Sequence, residues 1–350
     1  MLRLGATPLQ GRPRVSVVVP CYNYGRFLPE AVGSALDQPG VDVDVIIVDD
    51  ASTDGSAEVA EALAAADSRV TLVRHERNRG HIATYNDGLS RVSGDLAVLL
   101  SADDVLAAGS LARSAALFEA RPDVGLVYGY APSFDSESPP TARRDAGITW
   151  SVWSGAEWTR RVCERGTNLI VNPEAVVRRP VLESIGGYDP AQPHAADMHF
   201  WLRAAALGGV GRVNGAAQAH YRVHGGNMHL GAFEGQYRDA LERRIVFDSL
   251  LRDGLLSRRA HGTALTSVAR ESLRAARRGL AEGSAAGRER AADFEALALD
   301  CDPGIRWGPR WALYKALGGA RARGPLSRAE AFVDRVRWSV AWRRWRRYGT

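Results

Sequence analysis

The sequence predicts an α/β protein: a Rossmann-like, doubly wound, mostly parallel sheet followed by a C-terminal helical extension. Two observations support this fold class. Short apolar runs alternate with segments of helical spacing through residues 14–130, which is typical of a parallel sheet covered by helices. Alanine- and arginine-rich segments with helical spacing then occupy much of residues 229–350, where no strand pattern is found.

The predicted strands are continuous apolar runs, as expected for strands that are buried on both faces. They are Val15–Pro20, Val43–Asp50, Val70–Val73, Leu96–Leu100 and Val124–Tyr130. The predicted helices between them are Phe27–Gln38, Asp54–Ala66 (capped by Ser52 or Thr53), His81–Val92 and Leu111–Ala120. Ligands of such sheets bind outside the carboxyl ends of the strands. We therefore expect the functional residues at 20–25, 49–54, 78–80 and 101–104.

The net charge of +5 is concentrated near the end of the chain. Residues 320–350 carry nine arginines against Glu330 and Asp334, which leaves −2 for residues 1–319. A basic groove for nucleic acid across the whole fold is therefore not expected. Hydrophobic residues make up 45% of the chain, which indicates a packed core rather than extensive disorder.

The cysteines and the lack of long apolar runs indicate a cytoplasmic protein. Cys21, Cys163 and Cys301 are far apart and odd in number, so neither a disulfide framework nor a zinc site is expected. Residues 1–13 lack the apolar segment of a signal peptide and are interpreted as an N-terminal leader. No apolar run reaches the roughly 18 residues of a membrane span.

Two adjacent aspartates, Asp103 and Asp104, follow the buried strand at Leu96–Leu100. Neighbouring carboxylates repel each other, so a fold that keeps them together usually supplies a cation or hydrogen-bond donors. Carboxylate oxygens suit Mg²⁺ or Mn²⁺, which can stabilise the negative charge of a diphosphate leaving group. The alternative, that both acids cap the helix after Gly109, is disfavoured because they lie too far before it.

Missing motifs argue against other α/β functions. A dinucleotide oxidoreductase needs G-x-G-x-x-G after the first strand, and "PCYNYG" lacks it. A sugar nucleotidyltransferase would need a glycine-rich basic loop there, where the chain offers only Gly25 and Arg26. It stays a weaker alternative. A processive polysaccharide synthase would carry membrane spans, which the sequence does not contain.

Three sequence blocks, "VSVVVPCYNYGRFLPEAVGSALDQ", "VDVIIVDDASTDGS" and "RNRGHIATYNDGLSRVSGDLAVLLSADD", occur in this order. Together they resemble the family 2 glycosyltransferases of GT-A fold, and the resemblance extends over about residues 14–228. It implies an inverting sugar transfer from a nucleotide-diphosphate sugar, most simply a UDP-sugar, with Mg²⁺ or Mn²⁺ as cofactor. The hydroxyl acceptor would be a cell-surface glycan, a lipid-linked intermediate or a natural product. Residues 14–130 would then bind the donor, and residues 131–228 would face the acceptor.

The resemblance places the donor nucleotide against the loops after the first three strand–helix units. Tyr22 can stack on a base, which is worth about 1–3 kcal/mol. Asp50 can accept a hydrogen bond from the uracil imide, while Asp49 is assigned to structure. Either acid could instead cap the following helix. The complete set of expected donor-binding residues is Pro20, Tyr22, Asn23, Asp50, Asn78, Gly80 and Asp103.

The metal-binding run departs from the family pattern. Where relatives read D-A-D-D, this chain reads Ser101-Ala102-Asp103-Asp104, so the first carboxylate is missing. By the resemblance, Asp103 would face the ribose and Asp104 would hold the metal. The missing acid leaves both metal-dependent and metal-independent transfer open.

Two segments of the second half carry further expected site residues. In "HAADMHFW" the family's E-D pair reads Ala196-Asp197, and Asp197 is the expected catalytic base because the acceptor hydroxyl must lose a proton. An N-cap role for Asp197 is the alternative. In "AHYRVHGGNMH", His224 is an expected metal ligand and Arg222 an expected phosphate contact. A purely structural role for His224 stays equally open.

The extension, residues 229–350, is predicted to pack on the core, to bind the acceptor or to form a homodimer. Within Phe332–Tyr348, tryptophans fall on one helical face and arginines mostly on the other. This pattern predicts a peripheral contact with the inner leaflet of the cell membrane, with core packing of the tryptophans as the alternative. Because two family acids are missing, a non-catalytic nucleotide-sugar-binding scaffold subunit is the alternative to an enzyme.

Overall fold

The computed structural model describes residues 1–135, 147–225 and 234–317, together with Val336, Ser339 and Val340. The chain divides into two compact units. The first unit comprises the described residues of 1–158 and 169–225, and the second comprises residues 159–168 and the described residues from 234 onward.

Two sheets organise the first unit. Its strands are β1 (Leu2–Gly5), β2 (Arg14–Cys21), β3 (Asp42–Asp49), β4 (Val70–Arg74), β5 (Leu96–Leu99), β6 (Val105–Leu106), β7 (Val124–Tyr128), β8 (Ser133–Phe134), β9 (Thr149–Trp153), β10 (Val176–Arg178), β11 (Gly209–Asn214) and β12 (Ala219–Arg222). The large sheet has the order β1-β9-β11-β7-β10-β5-β2-β3-β4, and β6, β12 and β8 form the small one. Of the described strands in the large sheet, only β9 and β10 run against the rest. The predicted mostly parallel α/β sheet is therefore confirmed.

Helices pack on both faces of this sheet. They are α1 (Leu28–Leu36), α2 (Ser56–Ala66), α3 (His81–Leu89), α4 (Ser110–Ala120), α5 (Gly155–Arg165, which continues into the second unit), α6 (Arg179–Ile185) and α7 (Ala196–Leu207). Helix α3 approaches the sheet at Gly88, where an added Cβ would lie 2.2 Å from Val18 Cγ1 and 3.1 Å from Val48 Cγ2. Only glycine lets helix α3 pack so closely on the sheet. The turn that precedes α3 is therefore held near the ends of the strands.

The central strands owe their continuous apolar sequence to burial on both faces. Val17, Val18 and Val19 of β2 are fully buried, as are Val45 and Ile47 of β3. Burying one such side chain stabilises a fold by about 1.5–3 kcal/mol. These strands are therefore a rigid support for the loops that follow them.

Two local features differ from the expectations. Neither Ser52 nor Thr53 caps α2, because the helix starts after Gly55 and Asp54 Oδ1 accepts the N–H of Ser56 at 3.0 Å. The segment interpreted as a leader contributes strand β1, which pairs antiparallel with β9 at the edge of the sheet.

The second unit is helical. Its helices are α8 (Glu234–Arg252), α9 (Arg258–Glu282), α10 (Ala285–Cys301) and α11 (Pro309–Leu317), so the predicted helical extension is confirmed. Helices α9 and α10 cross closely at two glycines, since a Cβ on Gly279 would lie 2.5 Å from the carbonyl oxygen of Gly287. Most of the predicted tail helix, Phe332–Tyr348, lies outside the described residues. Within the described part of the chain, no helix is long and apolar enough to span a membrane.

Candidate active site

Three of the four polar clusters expected from the sequence follow parallel neighbouring strands. The register pairs Cys21 of β2 with Asp49 of β3, and Val18 of β2 with Leu99 of β5. The loops after these strands therefore leave the sheet at one edge. The turn between β4 and α3 joins them there, because β4 runs parallel to β3 and ends beside Asp49.

Two residues in these loops adopt left-handed backbone conformations that residues other than glycine rarely use. They are Asn23, with φ of 60°, and Ala51, with φ of 59°. The Asn23 N–H donates to Ser52 Oγ at 3.0 Å, and Asn23 Oδ1 accepts the N–H of Thr53 at 2.8 Å. Such conformations cost of order 1–3 kcal/mol each, and the cross-link between the loops offsets that cost. The shape of this part of the edge is thus fixed by the protein itself.

Tyr22 and Pro20, both expected at the donor, occupy different environments. Tyr22 is 45% exposed next to the fixed turn, so its ring surface is accessible to a flat base. Pro20 lies within β2, opposite Val48, and is half-buried. Pro20 therefore shapes the strand end, while Tyr22 is positioned for contact with a ligand.

Asp49 and Asp50 are both buried, but their carboxylates have different surroundings. Asp50 Oδ1 accepts the N–H of Arg79 at 2.8 Å, and Asp50 Oδ2 accepts the N–H of Gly80 at 2.9 Å. Asp49 Oδ2 accepts the N–H of Ser52 at 3.4 Å, whereas Asp49 Oδ1 has no hydrogen-bond partner in the part of the chain that the structure describes. The carboxylate oxygen that still needs a donor belongs to Asp49.

A buried histidine completes the surroundings of Asp50. His75 Nδ1 is 2.7 Å from Asp50 Oδ1, and His75 Nε2 is 2.9 Å from Asp87 Oδ2 on α3. Burial raises the pKa of Asp50, but the hydrogen bonds from His75 and from backbone N–H groups outweigh it and lower the pKa overall. Asp50 is therefore an ionised carboxylate that organises the turn before α3.

Asn78 and Gly80 build that same turn. Asn78 Oδ1 accepts the N–H of Gly80 at 3.0 Å. Gly80 has a φ of +82°, a conformation that favours glycine. Both residues are thus brought to the ligand edge, where their first effect is to fix the backbone.

Asp103 and Asp104 are buried side by side after β5, and one of their oxygens also lacks a partner. Asp104 Oδ1 accepts the N–H of Arg222 at 2.9 Å, but Asp104 Oδ2 has no hydrogen-bond partner among the described residues. Asp103 Oδ2 lies 3.0 Å from His224 Nε2. Burial, and then the charge of Asp103, raise the pKa of Asp104 well above its usual range. A cation at this point would relieve the repulsion.

Arg222, expected at phosphate oxygens, is instead engaged by the protein. Its guanidinium donates to the carbonyl oxygen of Asp103 at 2.9 Å and to the carboxylate of Glu30. It also lies over the rings of Phe27 and Phe134, at 4.8 and 4.5 Å from their centroids. These contacts bury Arg222. We therefore correct its expected role: Arg222 supports the aspartate pair instead of contacting phosphate oxygens.

The carboxylate oxygens of Asp103 and Asp104 fit a divalent cation. A bound ligand would supply the remaining coordinating atoms. Within the described ranges, no group of three or more His, Cys, Asp or Glu side chains could hold a metal ion. His224, expected as a ligand, bonds Asp103 through Nε2. The unpartnered Oδ2 of Asp104 is the kind of oxygen that Mg²⁺ and Mn²⁺ prefer. Asp104 could therefore hold such an ion together with phosphate oxygens.

Asp197 lies in the first turn of α7 and is half-buried. Burial raises the pKa of Asp197 to about 6. A hydrogen bond with Tyr188 and the charge of His81 both lower this pKa, but burial has the larger effect. A carboxyl group with this pKa is ionised at neutral pH and is more basic than an ordinary aspartate. Ala196, in the position where relatives carry glutamate, is buried and adds no second carboxylate.

Tyr85, which is half-buried, lies within electrostatic reach of Asp103, Asp104 and Asp197. Burial, and then the charges of Asp197, Asp103 and Asp104, raise the pKa of Tyr85 above its usual value. The Tyr85 ring packs edge-on against Tyr188, with 5.4 Å between the centroids. The expected base and the aspartate pair therefore face one region of the first unit.

Several residues of the site carry no motif that sequence reasoning could use. They are Glu30, His75, Tyr85, Asp87 and Tyr188. The available signal is weak: Glu30 and Asp87 are acidic residues on helices that abut the predicted ligand edge. Their partners, Arg222 and His75, become apparent only in three dimensions.

Solved structures share this architecture. The mannosyltransferase PcManGT from Pyrobaculum calidifontis, in complex with GDP-Man and Mn²⁺, superposes with a TM-score of 0.52 at 24% identity, over 89% of this chain and 88% of that chain. S. aureus TarS 1–349 in complex with UDP-GlcNAc gives a TM-score of 0.52 at 16% identity, over 84% of this chain and 92% of that chain. At these identities the likeness concerns the fold, and the fold is that of the GT-A glycosyltransferases.

The sequence makes the assignment more specific. Residues 16–186 match the family described as glycosyl transferase family 2. An uncharacterized glycosyltransferase of Nostoc sp., alr2836, is 28% identical over 222 residues, which cover 63% of this chain and 67% of that protein. The chain thus contains a glycosyl transferase family 2 region at residues 16–186 and is a transferase enzyme.

Proposed function

We propose that this glycosyltransferase transfers a sugar from a UDP-sugar to a hydroxyl acceptor with inversion at the anomeric carbon. The observation that supports it best is a pair of buried carboxylate oxygens, Asp49 Oδ1 and Asp104 Oδ2, that lack hydrogen-bond partners among the described residues. Asp49 is the last residue of β3 and Asp104 follows β5, and these two strands flank β2. Residues side by side on these two strands are about 10 Å apart across the sheet, and Asp49 lies three residues beyond Ile46, which is level with Leu99 at the end of β5. A nucleoside diphosphate can extend across this gap from base to phosphates.

The unpartnered oxygen of Asp49 favours a base with a ring N–H. Uracil and guanine each carry such a donor, whereas adenine and cytosine do not. We therefore assign the base contact to Asp49 and the shaping of the turn to Asp50, which revises the assignment made from the family resemblance. Tyr22 would stack on the base, with Asn23, Asn78 and Gly80 fixing the loops around it.

The aspartate pair would receive the ribose and the diphosphate. A bound Mg²⁺ or Mn²⁺ supplies positive charge against the negative charge that grows on a diphosphate leaving group. Asp104 would hold this ion through Oδ2, and Asp103 would face the ribose. His224 and Arg222 keep the two carboxylates in place.

Asp197 is the proposed general base. Its carboxylate would accept the acceptor hydroxyl proton while the oxygen attacks the anomeric carbon from the face opposite the diphosphate. Attack from that face gives the inverted product in one displacement. The hydrogen bond with Tyr188 orients the carboxylate for this step.

A screen of nucleotide-sugars tests the donor assignment. UDP-sugars should raise the melting temperature, with and without Mn²⁺, whereas ADP- and CMP-sugars should not. Asp49→Asn should weaken UDP-sugar binding about 10- to 100-fold. The oxygen of the new amide would still accept the Ser52 N–H, so its NH2 group would face the imide N–H and two donors would meet.

The matched variant is Asp50→Asn, which alters the neighbouring acid but not the proposed base contact. It should lower the melting temperature, because Asp50 binds two backbone N–H groups and His75. Unchanged UDP-sugar affinity in Asp49→Asn would return the base contact to Asp50. Stabilisation by GDP-sugars alone would replace uracil by guanine.

We further propose a peripheral contact with the inner leaflet of the cell membrane through the basic, aromatic end of the chain. Near α11, Trp307 is 82% exposed and Leu313 is 42% exposed. Residues 303–317 contain Arg306, Arg310 and Lys315 but no acidic residue. Exposed tryptophan beside arginine and lysine suits the interface of an anionic membrane. A lipid-linked acceptor would lie in the same plane.

Flotation with liposomes tests this contact. The full chain should float with anionic vesicles and not with neutral ones, because the attraction needs both charge and apolar burial. A chain ending at Ser327 should float less, and so should a full chain with Trp338, Trp342 and Trp345 changed to alanine. Equal recovery of all forms in the lipid fraction would eliminate the tail as an anchor.

A further inference from the structure

His75 lies buried between two carboxylates. The side chains of His75 and Asp50 are each 4% exposed, and that of Asp87 is 18% exposed. The two ring nitrogens are 2.7 Å from Asp50 Oδ1 and 2.9 Å from Asp87 Oδ2. An ionised carboxylate only accepts hydrogen bonds, and a neutral imidazole donates through one nitrogen. Both contacts are hydrogen bonds at once only when His75 carries a proton on each nitrogen.

The charged groups around His75 define a second arrangement. Arg79 Nη1 is 3.4 Å from His75 Nε2 and 3.6 Å from Asp87 Oδ2, and Arg91 binds Asp87 Oδ1 at 3.0 Å. In the neutral histidine that keeps its proton on Nδ1, Nε2 is an acceptor that faces a carboxylate oxygen. Asp87 is then held by Arg79 and Arg91, and the link from α3 through His75 to Asp50 is broken.

The contacts of His75 also position Asp49, the residue proposed to contact the base. The His75 N–H donates to the carbonyl oxygen of Asp49 at 2.9 Å, while its ring binds Asp50. Asp50 in turn fixes the N–H groups of Arg79 and Gly80. One histidine therefore connects α3, the turn before it and both aspartates at the end of β3.

We propose that His75 is a positioning residue of the donor site, which in its doubly protonated form holds the Asp49–Asp50 segment and the adjoining turn in the shape that binds the nucleotide. The inference rests on the proposed donor site. Loss of the His75 contacts should weaken donor binding and leave kcat at saturating donor nearly unchanged, because in the described residues His75 bonds neither Asp104 nor Asp197.

Two amide variants separate the two contacts. The amide nitrogen of His75→Asn lies near the Nδ1 position and can still donate to Asp50, whereas that of His75→Gln lies near Nε2 and reaches only Asp87. We expect UDP-sugar affinity to fall about 10- to 100-fold in His75→Gln and clearly less in His75→Asn. Both variants should keep kcat at saturating donor near that of the unmodified enzyme.

The measurement is the dissociation constant of the UDP-sugar by calorimetry, together with kcat at saturating donor. The control is His261→Asn, which removes a 2.7 Å contact from His261 Nε2 to Asp248 in the second unit and should leave donor affinity unchanged. Equal affinities of both His75 variants and the unmodified chain would overturn the proposal, and so would a fall in kcat with unchanged affinity.

These outcomes are distinct from failure of the proposed function. If the unmodified enzyme binds no UDP- or GDP-sugar at any pH, the donor site itself is wrong. If the donor binds equally well to the unmodified enzyme and to both His75 variants, the donor site stands and the role of His75 falls. Should one variant fail to fold, the affinity and kcat of the other decide the question.

Discussion

Asp104→Asn should reduce sugar transfer by about 10³-fold or more while leaving the fold intact. The loss is expected because the proposed site for the divalent ion depends on Asp104 Oδ2, the buried oxygen without a partner among the described residues. The fold should persist because the asparagine oxygen can still accept the N–H of Arg222. The melting temperature of the metal-free variant should equal or exceed that of the unmodified protein, since a buried, repelled charge is removed.

Transfer assays with Mn²⁺, Mg²⁺ and EDTA, paired with thermal unfolding, check this result. Asp103→Asn is the matched variant: it changes the neighbouring acid and should mainly weaken donor binding, because Asp103 is assigned to the ribose. Near-normal turnover of Asp104→Asn in the presence of EDTA would show that the metal assignment is wrong. The reaction would then belong to the metal-independent alternative that Ser101 leaves open.

Asp197→Asn should lower kcat about 10²- to 10⁴-fold with little change in donor affinity, because an amide cannot accept the hydroxyl proton. In the unmodified enzyme, kcat should rise with pH and level off above an apparent pKa of about 6, the value to which burial raises Asp197. The direction follows from the chemistry: the carboxyl group is protonated below this pKa and cannot act as a base.

The pH profile supplies a second readout for the same role. Tyr188→Phe removes a hydrogen bond that lowers the pKa of Asp197, so the rising limb of kcat should move to higher pH. Analysis of the product by NMR should show an inverted anomeric centre. A product with retained configuration, or unchanged kcat in Asp197→Asn, is incompatible with a single displacement that uses this base.

The order of the main strands and helices in residues 14–130 was predictable because its signals are local. β2 and β3 are continuous apolar runs, and α1 buries residues at helical spacing. The reversed strand β10 was not predictable in the same way. It has only three residues, and its position between β5 and β7 depends on pairing partners far away in the chain.

The candidate site was predictable by segment but not by atom. Sequence placed Asp49 and Asp50 at a ligand edge, yet which oxygen remains unpartnered depends on N–H groups of a turn about 30 residues later. His75 had no motif, because a single histidine in a loop gives no periodic signal. The homodimer expected from the helical extension stays a prediction.

Arg222 has a consequence for the order in which the enzyme matures. It joins Glu30 with Asp103 and Asp104, so its contacts span 192, 119 and 118 positions of the chain. During synthesis, the strands of the first half can pair long before this residue leaves the ribosome. Until it arrives, the aspartate pair lacks its buried cation and its backbone donor. A nascent chain can therefore acquire the sheet early, but it becomes competent for its donor only near the completion of the first unit.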